Sequence, residues 1–183
     1  MKKLTTLLMV LGIILGACTE TTSENEPSSS SKTHPSNQTM PDEMPDDFGF
    51  SVSFGYGKKN EINTFKGTVT KDLIDDGIAT IDLVLSDAEL LEVYEKMKEI
   101  EVMQPKKFNP KPMTGESCEQ EPYEEDEWEI MIDGETIEHY ISGKYCEPTE
   151  DAKQFHALRN FVYNKIKNKD DYRELPEASG GYD

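Results

Sequence analysis

The sequence predicts an α+β domain: an antiparallel sheet of about five strands, ordered β-β-β-α then β-β-α, with two helices packed on one face. Three observations predict it. Phe48, Phe50, Val52, Phe54 and Tyr56 alternate with Gly49, Ser51, Ser53 and Gly55, the period-two signature of a half-buried strand. Asp133-Gly134 lies between two alternating runs, the strongest short-range hairpin signal. Each group of strands is followed by a stretch whose apolar residues recur at helical spacing. Hairpin-linked strands with helices gathered after them favour an antiparallel layer over a parallel crossover sheet.

The first strand covers residues 48–56, and Gly57 to Asn60 supply turn chemistry after it. Gly55-Tyr56-Gly57-Lys58 superficially resembles a phosphate cradle, but a cradle needs a helix N-terminus behind it, and this segment joins two strands. A second strand is expected from about Asn63 to Leu73, with Phe65, Val69 and Leu73 on one face. Asp75-Asp76-Gly77 then suits a three-residue hairpin loop that sets Val69 opposite Leu83 and Leu73 opposite Ala79.

Ser86-Asp87-Ala88-Glu89 reads as a capping box opening the first helix. Leu90, Leu91, Tyr94, Met97 and Ile100 are expected on its buried side, with Glu89, Glu92, Glu95, Lys96 and Glu99 opposite. Residues 104–122 form a long loop containing Pro105, Pro110, Pro112, Gly115 and Pro122.

Around Asp133-Gly134, a two-residue turn pairs Ile132 with Glu135, Ile130 with Ile137, and Trp128 with His139. Extending that ladder sets Cys146 level with Glu121, three residues from Cys118. Pro148-Thr149 opens the last helix, whose buried stripe is Ala152, Phe155, Leu158, Phe161, Val162 and Ile166. Glu150 and Asp151 suit its positive end, and Lys165, Lys167 and Lys169 its negative end. The single domain therefore spans residues 48–169, roughly 120 residues and enough to bury one core. A polar tail follows over 170–183.

Before the domain, residues 19–47 read as a tether. A serine run from Ser28 to Ser31, four prolines and a majority of acids among its charges leave no apolar period to offset the entropy of ordering. As a flexible coil of about 29 residues it would span roughly 30 Å. Ahead of it, Lys2 and Lys3 precede an apolar run from Leu4 to Leu15 that is too short to cross a bilayer core of ~30 Å as a helix. Leu15-Gly16-Ala17-Cys18 closes that run and resembles the lipobox of bacterial lipoproteins at all four motif positions. A plain secretory leader and a one-pass anchor are the other readings of such a start. The resemblance implies removal of residues 1–17, a diacylglycerol thioether on Cys18, and optional acylation of the new α-amino group. Two acyl chains, at ~0.8 kcal/mol per buried CH₂, exceed what stable anchoring needs. The membrane, reached through lipid on Cys18, is thus one expected partner.

With Cys18 committed to lipid, Cys118 and Cys146 remain, and an exported protein meets an oxidising compartment. One disulfide at the open end of the second hairpin accounts for both.

The formal net charge is −18, and loss of Lys2 and Lys3 with the leader lowers it to −20. Such a chain lacks the Lys/Arg surface that nucleic acid requires. It is also repelled by anionic headgroups, so a domain held off the membrane is expected. A cationic partner is the alternative to simple solvation.

Catalytic motifs are missing: there is no G-x-S-x-G, H-E-x-x-H, C-x-x-C or G-K-[ST]. No enzyme, cofactor or metal is therefore expected. His34 belongs to the tether, His139 faces Trp128 and suits a buried, hydrogen-bonded imidazole, and His156 lies on the rim of the last helix. Two scattered histidines do not make a zinc site. Glu116, Glu119, Glu121, Glu124, Glu125, Asp126, Glu127 and Glu129 crowd around Cys118 and read as a solvated acidic edge. Neither they nor Asp72, Asp75, Asp76 and Gly77 match a calcium-loop spacing. Tyr123 and Trp128 flank the acids, as contacts for a protein partner or as core and rim.

The domain also resembles small, uncharacterised surface lipoproteins of Gram-positive bacilli. The acidic serine-rich tether, the 48–56 strand and the run Gly143-Lys144-Tyr145-Cys146-Glu147-Pro148 carry the resemblance. It implies placement and fold and supplies no activity. The function expected is a lipid-anchored, non-catalytic binding or accessory protein on the outer face of the cytoplasmic membrane. A protein partner on the cell surface fits that role. The alternatives are an inhibitor or immunity-like protein whose acidic, Pro-rich loop 104–122 enters the basic active site of a secreted enzyme, and a small hydrolase. A solute receptor would need two lobes, and this chain offers one.

Overall fold

The computed structural model describes residues 31–33, 39–111 and 118–182. The leader at 1–17, Cys18, most of the tether including His34, and Glu116 in the acidic stretch lie outside the described residues. The strands are β1 (Ser31–Thr33), β2 (Gly49–Gly55), β3 (Asn60–Asn63), β4 (Thr68–Asp72), β5 (Ile78–Asp82), β6 (Glu125–Ile132) and β7 (Glu135–Ser142). The helices are α1 (Asp87–Glu99), α2 (Glu150–Lys167) and α3 (Asp170–Arg173), with a 3-10 turn at Tyr56–Lys58. One sheet runs in the order β1-β7-β6-β2-β3-β4-β5. Its six long-range partners β2 to β7 are antiparallel, and β1 adds to the edge of β7 in parallel. The α+β class is as expected, with six antiparallel strands in place of five.

β2 lies near the middle because the returning hairpin β6–β7 pairs along its free edge. Its alternation is therefore buried, Phe50 and Val52 fully. The rings of Phe50 and Phe155 lie 5.9 Å and 6.1 Å from that of Trp128, forming the centre of the core. α2 covers it with Ala152, Phe155, Leu158, Val162 and Ile166, the expected stripe, with Phe161 only partly buried. Thr149 caps α2 by accepting from the Ala152 N–H at 3.1 Å. The capping box of α1 forms as expected, but its buried residues are Val93, Tyr94 and Met97, while Leu91 faces solvent.

Three local expectations change. The strand expected over 63–73 is two strands, because residues 64–67 turn the chain and Gly67 takes a left-handed φ of 64°. Phe65 sits exposed on that turn. The β4–β5 register places Val69 opposite Ile81 and Lys71 opposite Ala79, not Leu83 and Leu73. The loop moves one residue earlier because the Leu73 N–H bonds Gly77 O at 2.8 Å while Ile74 bridges Ser179. A two-residue slip keeps each strand's faces unchanged.

The domain boundaries also move outward. Met40 is buried in the core, and the Tyr94 hydroxyl donates to Pro41 O at 2.7 Å, so the ordered body begins before Phe48. The tail at 170–183 is not merely polar chain. Tyr172 of α3 is buried, Lys71 reaches Pro176 O at 2.8 Å, and Tyr182 returns to Asp72. Among the described residues no helix is long and apolar enough to cross a membrane.

Candidate functional site

Beyond Ser142 the second hairpin continues irregularly. Gly143 N–H donates to Glu124 O at 2.8 Å, keeping the ladder, and a Cβ on Gly143 would sit 2.7 Å from that oxygen. Only glycine fits there. Past it, Gln120 N–H bonds Lys144 O and Cys146 N–H bonds Cys118 O. Glu121, Pro122 and Tyr123 therefore loop out, and Cys146 lies level with Cys118 rather than with Glu121. The two cysteines form the expected disulfide, with a Cα–Cα distance of 5.5 Å.

This arrangement builds one side of an open cleft of roughly 900 Å³, a volume typical of ligand sites. β7 supplies Tyr140 and Ser142, the hairpin end supplies Tyr123, Lys144 and Tyr145, and the start of α2 supplies Thr149, Glu150 and Asp151. The opposite wall is residues 106–111, with Lys106, Lys107 and Lys111.

That wall is pinned. The Lys106 side chain is buried; its ammonium donates to Ile100 O at 2.6 Å and lies 3.5 Å from Asp151. Lys107 N–H donates to the same carboxylate at 2.8 Å. The Phe108 ring stands edge-on to His139 at 5.7 Å and to Phe155 at 5.2 Å. Lys144 pairs with Glu119 at 3.3 Å, and that hydrogen bond raises its pKa. Tyr140 donates to the Glu125 carboxylate, which pushes the phenol up to about 12 and keeps it protonated at neutral pH. Lys107 and Lys111 form no ion pair among the described residues and are exposed. The lining thus offers ammonium, phenol, hydroxyl and amide groups beside two carboxylates, Glu150 and Asp151, which face Lys153 and Lys106; the charge left over is that of Lys107 and Lys111, which suits anions.

Residues 104–111 of the loop carry three lysines and no acid, while the acids Glu116, Glu119 and Glu121 all belong to its second half. Sequence reasoning missed this cleft because its lysines and tyrosines come from four separate segments. The run Lys106-Lys107 with Lys111, three cations in a strongly negative chain, was the available signal.

The histidines and acids singled out in the sequence do not converge on one site. His139 is buried, with Nε2 2.8 Å from Val102 O, and burial lowers its pKa. It is the hydrogen-bonded core imidazole the sequence suggested. Of the acidic stretch, Glu124 pairs with Arg159 at 3.0 Å and Glu127 with Lys58 at 2.6 Å. Asp126 departs from the solvated edge expected of it. It is fully buried, with Oδ2 3.1 Å from His156 Nδ1 and 3.4 Å from Arg159 Nε. Its position two residues before Trp128 puts it on the inward face, a parity that its charge obscured. Among the described residues no three His, Cys, Asp or Glu side chains are grouped to hold a metal ion.

A scan against protein-family models finds no match for this chain, and a search of curated proteins finds none either.

Proposed function

We propose that this chain is a lipid-anchored, non-catalytic binding protein on the outer face of the cytoplasmic membrane, and that the lysine- and tyrosine-lined cleft takes its anionic ligand. One observation carries the reading: of the four lysines that line this cleft, Lys107 and Lys111 form no ion pair among the described residues, in a chain of net charge −18. Against that background an uncommitted cation is a local attractor, and the surrounding negative field repels anions that do not reach it. The lipobox resemblance at Leu15 to Cys18 supports the anchor, and the tether supports a domain that stands off the headgroups.

Placement is tested by Cys18→Ser, which is expected to abolish metabolic labelling with a palmitate analogue and release the protein from membranes. Retention of a correctly cleaved, membrane-bound Cys18→Ser chain overturns it. Binding is tested with the lipidated protein in detergent against polyglutamate, oligogalacturonate and polyphosphate at low and high salt. At least one is expected to bind, with affinity falling as salt rises, and to weaken about tenfold in Lys107→Glu/Lys111→Glu. No binding of any of the three overturns the reading.

A further inference from the structure

The cleft is also a sheet edge. In an antiparallel ladder, residues that exchange hydrogen bonds with the partner alternate with residues whose backbone groups point away. Gly143 N–H bonds Glu124 O, and the register runs unbroken from there to Ile132 opposite Glu135. Ile141, His139 and Ile137 therefore turn their backbone groups toward β6. Tyr140 and Ser142 turn theirs outward, into the cleft they line. Among the described residues no strand faces these two positions, since β1 ends opposite Ile137.

β1 itself shows what this edge accepts. Ser31, Lys32 and Thr33 pair with Glu135, Thr136 and Ile137 as an added strand, and the edge continues past them into the lysine-lined cleft. An extended segment laid beyond β1 meets the outward N–H and C=O of Tyr140 and Ser142 on one side. The same cleft holds Lys107 and Lys111. Main-chain pairing gives affinity in strand addition, and alternate side chains give selectivity. The charge of this wall selects carboxylates.

We propose that the ligand of the cleft is an extended acidic segment of a partner protein, added as a strand to the β7 edge at Tyr140 and Ser142. This rests on the cleft being a binding site, as proposed above. An anionic glycan would use the same lysines without the backbone edge, and the test separates the two.

The probe is a fluorescein-labelled (Thr-Glu)₄ peptide, with (Thr-Lys)₄ and oligogalacturonate as comparators, read by anisotropy on the lipidated protein in detergent. (Thr-Glu)₄ is expected to bind, (Thr-Lys)₄ not, and Lys107→Glu/Lys111→Glu to weaken binding about tenfold. Two further (Thr-Glu)₄ peptides carry N-methyl groups on the Thr or on the Glu amides. Only one edge of an added strand meets β7, so one of the two is expected to lose at least about tenfold and the other little. Amide exchange at Tyr140 or Ser142 should slow on binding.

Equal binding by both methylated peptides, or oligogalacturonate binding where (Thr-Glu)₄ does not, overturns strand addition and leaves the anionic cleft standing. Failure of every acidic probe overturns both. Dimerisation of the peptide-free protein, with those amides already protected, would assign the edge to a second copy and also overturns the proposal.

Discussion

Tyr182 donates its hydroxyl proton to Asp72, closing a contact across 110 residues. Asp72 is buried, and its other oxygen accepts the Ile74 N–H at 2.9 Å. Lys59 completes the arrangement by donating to the Tyr182 oxygen at 3.0 Å and lying 4.8 Å above its ring. The C-terminal segment is thus a clasp over the β4–β5 turn, pinned again where Ser179 Oγ donates to Asp76 at 2.5 Å.

Tyr182→Phe keeps the ring against Tyr56, 4.7 Å away, and removes only the hydroxyl. A buried carboxylate oxygen then loses its donor, so we expect a loss of about 1–2 kcal/mol in urea unfolding. Amide exchange should accelerate at Asp75, whose N–H donates to Ser179 O, and at Ser179, whose N–H donates to Leu73 O. An unchanged midpoint with unchanged exchange would show that the clasp contributes nothing.

Removing the disulfide with Cys118→Ala/Cys146→Ala opens a loop whose ends are 28 residues apart in sequence. In the chain-entropy model this costs roughly 3–4 kcal/mol, a large share of a stability of about 5–15 kcal/mol. The urea midpoint should fall accordingly, and the oxidised wild type treated with reductant should move toward the same midpoint. Because Lys144 and Tyr145 immediately precede Cys146, affinity at the cleft should fall with it.

What could be read from the sequence follows physical range. The β6–β7 hairpin was legible to the residue because Asp133-Gly134 and the alternation of Trp128, Ile130 and Ile132 are local. β3 was not, since Asn60, Glu61, Ile62 and Asn63 hold one apolar residue and no period. The cysteine pairing was legible in kind but not in register, because the loop-out of Glu121, Pro122 and Tyr123 has no periodic signature. Asp126 was misplaced because charge outweighed parity. The contact of Tyr182 with Asp72 and the assembly of the cleft join segments far apart in sequence, and no local pattern carries them.

Glu89 predicts an acid-sensitive link between the helices. Partial burial works to raise its pKa, but hydrogen bonds from Lys169 and from the Ser86 backbone and side chain outweigh this and hold it at about 2. The folded value lies below the ordinary 4.5, so the stabilisation is complete above pH 4.5 and lost as pH falls from there toward 2. Glu89→Gln retains the capping geometry and loses the charge that pairs with Lys169 at 2.8 Å. We expect a cost of about 1–2 kcal/mol at pH 7, discounted for partial exposure, and none near pH 2. Urea titrations of both chains at the two pH values test this, and a pH-independent difference would contradict it.

His139 gives the last prediction, and it acts at milder pH. Its ring is enclosed by Phe155 at 4.7 Å and Phe108 at 5.7 Å, and Nε2 donates to Val102 O. Burial opposes the charged form, the carbonyl favours it, and burial prevails, so the folded pKa lies below 6.5. Below pH 6.5 the unfolded chain takes up a proton that the folded chain still refuses. Stability therefore holds above that pH and declines as pH falls through the interval down to the folded value. His139→Leu removes the donor to Val102 O and should cost about 1–2 kcal/mol at pH 7.5. It should also flatten the decline between pH 6.5 and 5, because the titrating group is gone. Wild-type ring resonances should report the neutral Nε2–H tautomer throughout the upper part of that range. A His139→Leu chain with the full wild-type slope would mean that another group sets the pH response.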